Sequence, residues 1–315
     1  MKEIGGYFGL ERGNNSDFYH KNPILLNSAR NALRYIVKAY RIKKIFIPYY
    51  TCPFVFDALK SERCNIERYD IDKNCMPIAR FHKDAFIVYN NYFGVFGNNV
   101  KELAKIYRNL IVDNAHSFYS MPRGLASFYS PRKFFGLSDG GFVISKNKLT
   151  KHFVQDVSYT RMSHLLKRTD IGAAFGYDDF KKNEKYLINK PIKTMSNLTR
   201  ILLGNIDYLR VKTIRKRNFD FLHSKFKQIN ELKFNMFKDD IPMVYPLLIK
   251  NKNIRHYLIK NSVYVATYWN DIEERYKESS FGLYLSKYLL PLPIDQRYLL
   301  KDMQRISDVI KARLN

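Results

Sequence analysis

The chain has 315 residues, 46% hydrophobic and 15% aromatic, enough apolar material for a large core spread over two lobes and incompatible with intrinsic disorder. No apolar run approaches the roughly 20 residues a membrane span requires, and Met1-Lys-Glu-Ile-Gly-Gly-Tyr7 lacks the basic-then-apolar layout of a signal peptide, so a cytoplasmic protein is expected. The formal charge of +25 suits a nucleic-acid surface, anionic lipid or a cleft for a phosphate-rich substrate, but the lysines are scattered (Lys43, Lys101, Lys151, Lys181, Lys225, Lys250, Lys301) with no arginine-rich arm, which speaks against nucleic acid. Cys52, Cys64 and Cys75 are too few and too irregular for a disulfide framework or a metal site, and are expected as reduced thiols.

In chain order, the Leu26-Asn27-Ser28 turn opens an amphipathic helix over Ala32 to Ala39. Lys44 to Pro48 reads as a buried strand, Pro53 to Ser61 as a helix, and Ile66 to Ile71 and Ala85 to Tyr89 as further strands. A helix over Val100 to Tyr107 precedes the strand Leu110 to Asp113, and Phe142 to Ser145 is the last strand of this region. Short apolar strands alternating with helices predict an α/β layer with a mainly parallel sheet. Residues 150 to 205 are expected to be mostly helical, and Ile206 to Phe226 reads as one long basic helix connecting two lobes. Beyond it, Met243 to Ile249 and Val263 to Tyr268 carry strand signals, and helices are expected around Phe281 to Tyr288 and Lys301 to Leu314, giving a small α+β lobe.

Two motifs carry chemistry. Asp113-Asn-Ala-His116 follows a strand, and twenty residues after Asp113 Lys133 stands in Ser-Pro-Arg-Lys-Phe-Phe-Gly-Leu-Ser-Asp-Gly-Gly (130–141). A carboxylate at a strand end and a lysine before a Gly-rich turn is what a pyridoxal phosphate enzyme needs: the lysine forms the Schiff base and the carboxylate keeps the pyridine nitrogen protonated. His116 would bond the cofactor's phenolic oxygen or stack on its ring. Burial and Arg132 would lower the Lys133 pKa. The competing readings are a turn-capping Asp, a structural His and a surface Lys. Ser28-Ala29-Arg30-Asn31 opens a helix and reads either as a phosphate site or as a plain N-cap.

These segments resemble the DegT/StrS-type sugar aminotransferases. The family's S-G-T-A-A-L is similar to Ser28-Ala-Arg-Asn-Ala-Leu33, its P-x-x-T to Pro48-Tyr-Tyr-Thr51, and its E-D-A-A-Q to Val112-Asp-Asn-Ala-His116. Its P-T-K-N-x-G-x-x-E-G-G resembles Pro131 to Gly141, and its N-Y-R-M-S resembles Tyr159-Thr-Arg-Met-Ser163. The chain departs from the pattern in a shorter Asp-to-Lys spacing, in Tyr159 where the family has a phosphate-binding Asn, in Cys52 where an aromatic stacks on the ring, and in offering both Ser127 and Ser130 for the serine before the lysine.

The resemblance implies a fold-type I pyridoxal phosphate transferase: a large domain (1–208) with a mainly parallel mixed sheet flanked by helices, and a small C-terminal α+β domain (209–315). It implies Lys133, Asp113 and His116 as catalytic residues converging on one pocket. Ser28, Ala29, Arg30, Thr51, Cys52, Ser127 and Ser130 join them around the cofactor, with Tyr159 and Arg161 reaching a partner's site across a homodimer. Arg30 would make a bidentate phosphate contact in place of the missing Asn, unless it points to solvent or pairs with a carboxylate such as Asp57. The implied activity moves an amino group, from glutamate, onto a nucleotide-linked keto-sugar for surface polysaccharide synthesis; some relatives that replace the lysine with histidine are dehydratases. The alternatives are a catalytically lapsed binding or regulatory protein of the same fold and, further off, a basic nucleic-acid binder.

Overall fold

The short apolar runs of the first half become strands because they are covered on both faces, which only a sheet between helical layers allows. The computed structural model describes residues 6–11, 18–275 and 280–314; most of the N-terminal reading on Met1–Tyr7 lies outside them. Strand β1 (Ile24–Leu26) leads into helix α1 (Ala29–Ala39), then β2 (Lys44–Pro48), α2 (Pro53–Ser61), β3 (Asn65–Tyr69) and β4 (Ile87–Asn90). After α3 (Gly97–Ile106) come β5 (Leu110–Asp113), β6 (Ala126–Tyr129) and β7 (Gly141–Ser145). A helical stretch follows: α4 (Ser163–Asp170), α5 (Ala173–Tyr186), α6 (Asn197–Gly204) and the long α7 (Tyr208–Phe226). The chain ends with β8 (Val244–Leu248), α8 (Asn253–Lys260), α9 (Ile272–Arg275), α10 (Phe281–Tyr288), β9 (Leu289–Pro293) and α11 (Leu300–Leu314).

Among the described residues the first seven strands form one mixed sheet in the order β1-β7-β6-β5-β4-β2-β3. Strands β3, β2, β4, β5 and β6 run parallel, while β7 pairs antiparallel with both β6 and β1. The chain steps outward from β2 to β3 and then returns to the other side of β2 to lay down β4. That reversal opens a crevice at the carboxyl ends of the strands, where sheets of this kind bind ligands. Both faces are apolar: Val88 and Ile111 face the layer of Leu33, Ile36 and Leu59, while Tyr89 and Val112 face Phe96, Leu222 and Tyr245.

Strands β8 and β9 form a separate antiparallel pair, packed by α7 and by α10. Here the structure departs from the sequence reading. Val263 to Tyr268, expected as a strand, is irregular, and β9 takes the place beside β8. The prolines of Leu-Leu-Pro-Leu-Pro hide β9 in the sequence, yet Pro291 stands opposite Pro246 in a two-stranded sheet, where every strand is an edge and a missing N–H costs little. Residues 150 to 162, within the stretch expected to be mostly helical, are mostly irregular, with one 3-10 turn at Tyr159–Arg161. Among the described residues no helix is long and apolar enough to cross a membrane.

Candidate active site

The carboxyl ends of β4, β5 and β6 and the loop after β2 deliver Asn90, Asp113, Ser130 and Cys52 to one cavity of about 770 Å3, within the roughly 300–1,000 Å3 of small-molecule sites. Ser28, Ala29 and Arg30 reach it from the start of α1, His116 from the turn after β5, and Lys133 from the turn after β6. Asn90 and Asp113 are paired neighbours in the sheet. Arg215 of α7, Tyr268, Trp269, Pro291 and Arg297 close the far side.

Asp113 is buried, and its Oδ1 accepts the Ala115 N–H at 2.8 Å. Burial pushes its carboxyl up to about 6, against the Ala115 N–H and the Lys133 ammonium, which both pull it down. His116 is stacked on Trp269 with ring centroids 5.5 Å apart and an 11° interplanar angle. Its Nδ1 accepts the Phe93 N–H at 3.4 Å, and its Nε2 lies 3.1 Å from Lys133 Nζ. A backbone N–H only donates, so the proton of the neutral ring belongs on Nε2. With that tautomer the Nε2–Nζ contact is a hydrogen bond only once Lys133 has given up a proton, so it favours the amine over the ammonium. Both groups shift toward their neutral forms. Burial and then the lysine charge hold His116 well below the ordinary imidazole value. Burial lowers Lys133, with Arg132 and Arg30 adding to the effect and Cys52 and Asp113 opposing it. Lys133 remains reachable by solvent through the cavity it faces, although protein surrounds the cavity.

The lysine turn is fixed from both sides. Pro131 starts a 3-10 turn over Pro131–Lys133, and the Lys133 N–H bonds Ser130 O at 3.1 Å. From behind, Gln296 Nε2 and Arg215 Nη2 donate to Phe134 O at 2.7 and 3.3 Å. On the other side, Gly140 has φ +122, and a Cβ on Gly141 would stand 2.3 Å from the Ser28 carbonyl carbon. Two glycines are therefore needed for the turn after the lysine to press against the opening of α1. Ser28 Oγ caps that helix by accepting the Asn31 N–H at 3.2 Å.

Arg30 does not pair with Asp57. Its guanidinium lies 3.7 Å over the Phe54 ring, and its Nη2 is 3.5 Å from Glu184 Oε2 on α5. Arg132, beside the lysine, bonds the other oxygen of the same carboxylate. Arg30 Nη1 and Arg132 Nε are buried without a partner. Of the two candidate serines, Ser130 lines the cavity, whereas Ser127 is buried in β6 with its Oγ on the Arg123 N–H and C=O, each at 3.0 Å. Thr51 stands behind the wall, fully buried, accepting Asn90 Nδ2 at 2.9 Å. Tyr159 is 72% exposed and outside this chain's cavity. Arg161 is outside it too, its Nη2 on Asp156 Oδ2 at 2.9 Å and its guanidinium 4.5 Å over Tyr186.

Asn90, Arg132, Glu184 and Trp269 were missed as site residues. Asn90 ends an apolar strand just as Asp113 does, so the same rule finds it. Trp269 is the single tryptophan of the chain, a usable signal. Glu184 has no sequence signal, since Asp178 to Lys185 reads as a solvated charged face. Together the cavity offers an amine of lowered pKa, a carboxylate and unsatisfied arginine nitrogens, a donor set for a ligand with a carbonyl, a basic ring nitrogen and a phosphate. Among the described residues no group of three His, Cys, Asp or Glu could hold a metal ion.

No protein-family model and no curated protein matches the chain. Solved structures do. The apo form of the putative sugar aminotransferase Spr1654 from Streptococcus pneumoniae aligns over 92% of this chain and 85% of its own, with TM-score 0.65 and 14% identity. A DegT DnrJ EryC1 StrS aminotransferase from Brucella abortus aligns over 92% and 85% with TM-score 0.62 and 14% identity. The E. coli GDP-4-keto-6-deoxy-D-mannose-3-dehydratase with bound hydrated PLP aligns over 93% and 88% with TM-score 0.66 and 17% identity. What is common at such identities is architecture, and the chain has the fold-type I fold of the pyridoxal phosphate-dependent sugar aminotransferases.

Proposed function

We propose that the protein is a pyridoxal phosphate-dependent aminotransferase that moves an amino group, from glutamate, onto a nucleotide-linked keto-sugar in the cytoplasm, for surface polysaccharide synthesis. The observation that carries the reading is Lys133 Nζ, 3.1 Å from His116 Nε2 in the same cavity as the Asp113 carboxylate, with its pKa lowered by burial. Pyridoxal phosphate, when bound, supplies an electron-withdrawing ring that stabilises charge at the substrate carbon. Lys133 would hold the cofactor covalently and, once freed, move a proton at Nζ between substrate and cofactor carbons. Asp113 would face the ring nitrogen, whose positive charge brings the raised carboxyl pKa back down. His116 would orient the phenolic edge, and Ser28, Arg30 and Arg132 would hold the phosphate. Presence of lysine rather than histidine at position 133 favours amino transfer over dehydration.

Four arginines (Arg30, Arg132, Arg215, Arg297) line the cavity against three carboxylates (Asp113, Glu184, Asp295), with Lys133 as a further basic group, which favours an anionic sugar nucleotide. The two proposed domains, 1–208 and 209–315, would close around it. Exposed apolar side chains concentrate on one segment, among them Val154, Val157, Tyr159, Leu166, Phe175 and Tyr177. A patch of this kind supports a symmetric homodimer whose partners complete each other's sites. The test is spectroscopic. Addition of pyridoxal phosphate should produce the visible absorbance of a lysine-bound cofactor, glutamate should bleach it, and a keto-sugar nucleotide should restore it. Absence of any visible band with the wild-type chain would sink the reading.

A further inference from the structure

We propose that Glu184 is the displaceable counter-ion of a two-arginine clamp for a phosphate monoester, built by Arg30 and Arg132. The inference rests on the cofactor reading for the identity of the ligand, but the clamp itself stands on geometry. Arg30 comes from α1 and Arg132 from the lysine turn, and both guanidiniums converge on one carboxylate at the cavity wall. Two buried like charges repel, and Arg30 is among the groups that depress Arg132. An anion must stand between them, and Glu184 is the anion present.

Glu184 underfills the place. One carboxylate brings a single negative charge to two cations and leaves Arg30 Nη1 and Arg132 Nε buried without an acceptor. A phosphate monoester near neutral pH brings a charge of about −1.5 to −2 and three acceptor oxygens, which matches both the charge and the spare donors. The guanidiniums are also the fixed partners and the carboxylate the removable one. The arginine side chains are 16% and 14% exposed and Arg30 is stacked on Phe54, whereas the Glu184 side chain is 30% exposed. Its helix is held lightly: of the described residues of α5, Gly176 and Asn183 are buried, and Asn183 Nδ2 bonds Ser138 O at 2.8 Å. A phosphate entering from the cavity can take the arginines while Glu184 turns outward to water.

The cofactor's phosphate and the diphosphate of a sugar nucleotide share this chemistry, so the experiment separates them. Wild type, Glu184→Gln, Arg132→Gln and the double variant are titrated as full chains with inorganic phosphate, pyridoxal phosphate, pyridoxal and GDP. Binding is followed by calorimetry and by the fluorescence of Trp269 in the cavity wall. Removing a unit charge beside the bound anion should tighten phosphate and pyridoxal phosphate on the order of tenfold in Glu184→Gln, with pyridoxal unchanged. Arg132→Gln should weaken both by a similar factor and cancel the gain in the double variant. Equal or weaker phosphate binding by Glu184→Gln overturns the proposal, as does tightening of pyridoxal to the same degree, or tightening confined to GDP. The inorganic phosphate titration decides the clamp even if pyridoxal phosphate gives the wild type no visible band, so the two readings fail separately. Glutamine keeps the shape of a partly exposed helical side chain, and a cooperative thermal unfolding transition without phosphate, lowered by the lost counter-ion and restored by added phosphate, verifies that the variant is folded.

Discussion

The carboxyl edge of the large sheet and the α4–α5 hairpin face the same cavity and are built in opposite ways. At the sheet edge, Asn90, Asp113 and His116 are each at most 8% exposed, and the lysine turn is gripped from behind by Arg215 and Gln296. On the hairpin, His164, Gly176 and Asn183 are the buried residues of its two helices, while Leu166, Phe175 and Tyr177 are more than half exposed. Groups that need fixed geometry, and whose pKa values are perturbed by burial, stand where packing over-determines them. Groups that must give way to a ligand or meet a partner stand on an element with few anchors, the low-stability end of a fold.

Replacement of Lys133 is the sharpest way to separate geometry from stability at the sheet edge. Lys133→Ala should remove the visible band with pyridoxal phosphate and lower amino transfer by at least about a thousandfold, since covalent attachment and the proton shuttle go together. Its melting temperature should stay close to wild type, because the side chain faces a solvent-filled cavity rather than the core. A large loss of stability would instead mark Lys133 as structural.

Phe142→Ala tests the packing beneath the site. This ring in β7 is fully buried, with Phe118 at a centroid distance of 5.8 Å and Phe18 at 5.9 Å. Its loss should cost about 3–5 kcal/mol by denaturant unfolding. A cost below about 1 kcal/mol would mean the sheet core is looser than its burial implies.

How much of this was legible in the sequence follows the same division. The sheet edge was readable because strand-end polar residues after apolar runs follow a local rule, which gave Asp113, His116 and Lys133 before any coordinates. Strands β1 and β6 were not read, since β1 has three residues and the Ala-Ser-Phe-Tyr of β6 lacks the unbroken aliphatic run of β5, and β9 was hidden by prolines that an isolated strand pair tolerates. The failure over Val263 to Tyr268 is instructive. Val263 and Val265 are buried and Tyr264 is exposed, a strand-like alternation, but a strand needs a partner and β9 already pairs with β8. The Arg30 reading went half-way: a carboxylate partner was considered, but Glu184 is 154 residues distant, beyond any local pattern.

Asp113→Asn sets function against stability. Burial raises the Asp113 carboxyl from its ordinary 3.8 to about 6. Between those values the folded chain keeps a proton that the unfolded chain has lost, so wild-type stability falls as pH rises through this window and stays reduced above it. Asparagine keeps an acceptor for the Ala115 N–H and carries no charge. The apo variant should therefore be more stable than wild type at pH 7.5 by up to about 3 kcal/mol, and the gap should close toward pH 4. Denaturant titrations at the two pH values check this. The variant should also lose most amino transfer, because a neutral amide cannot balance a protonated ring nitrogen. A less stable variant at pH 7.5 would mean that the carboxylate has compensation beyond Ala115 and Lys133.

The smallest effect on the folded chain is expected on the hairpin, and there the readout is assembly rather than stability. Phe175 and Tyr177, 66% and 58% exposed, are two residues apart near the start of α5, and neither shields the core. Phe175→Ser with Tyr177→Ser should leave the unfolding free energy of the isolated chain within about 0.5 kcal/mol of wild type, as for surface positions generally. If the hairpin face is covered by a second copy, the same pair of substitutions removes apolar contacts twice over, once from each protomer, because a two-fold interface repeats every change. At about 25 cal/mol per Å2 of apolar area, even a partly covered aromatic ring then weakens association far more than it weakens folding. Sedimentation across a concentration series should show the variant dissociating at concentrations where the wild type stays dimeric. Unchanged association together with lost stability would reverse the assignment, making the hairpin part of the core and leaving the contrast with the sheet edge without a physical basis.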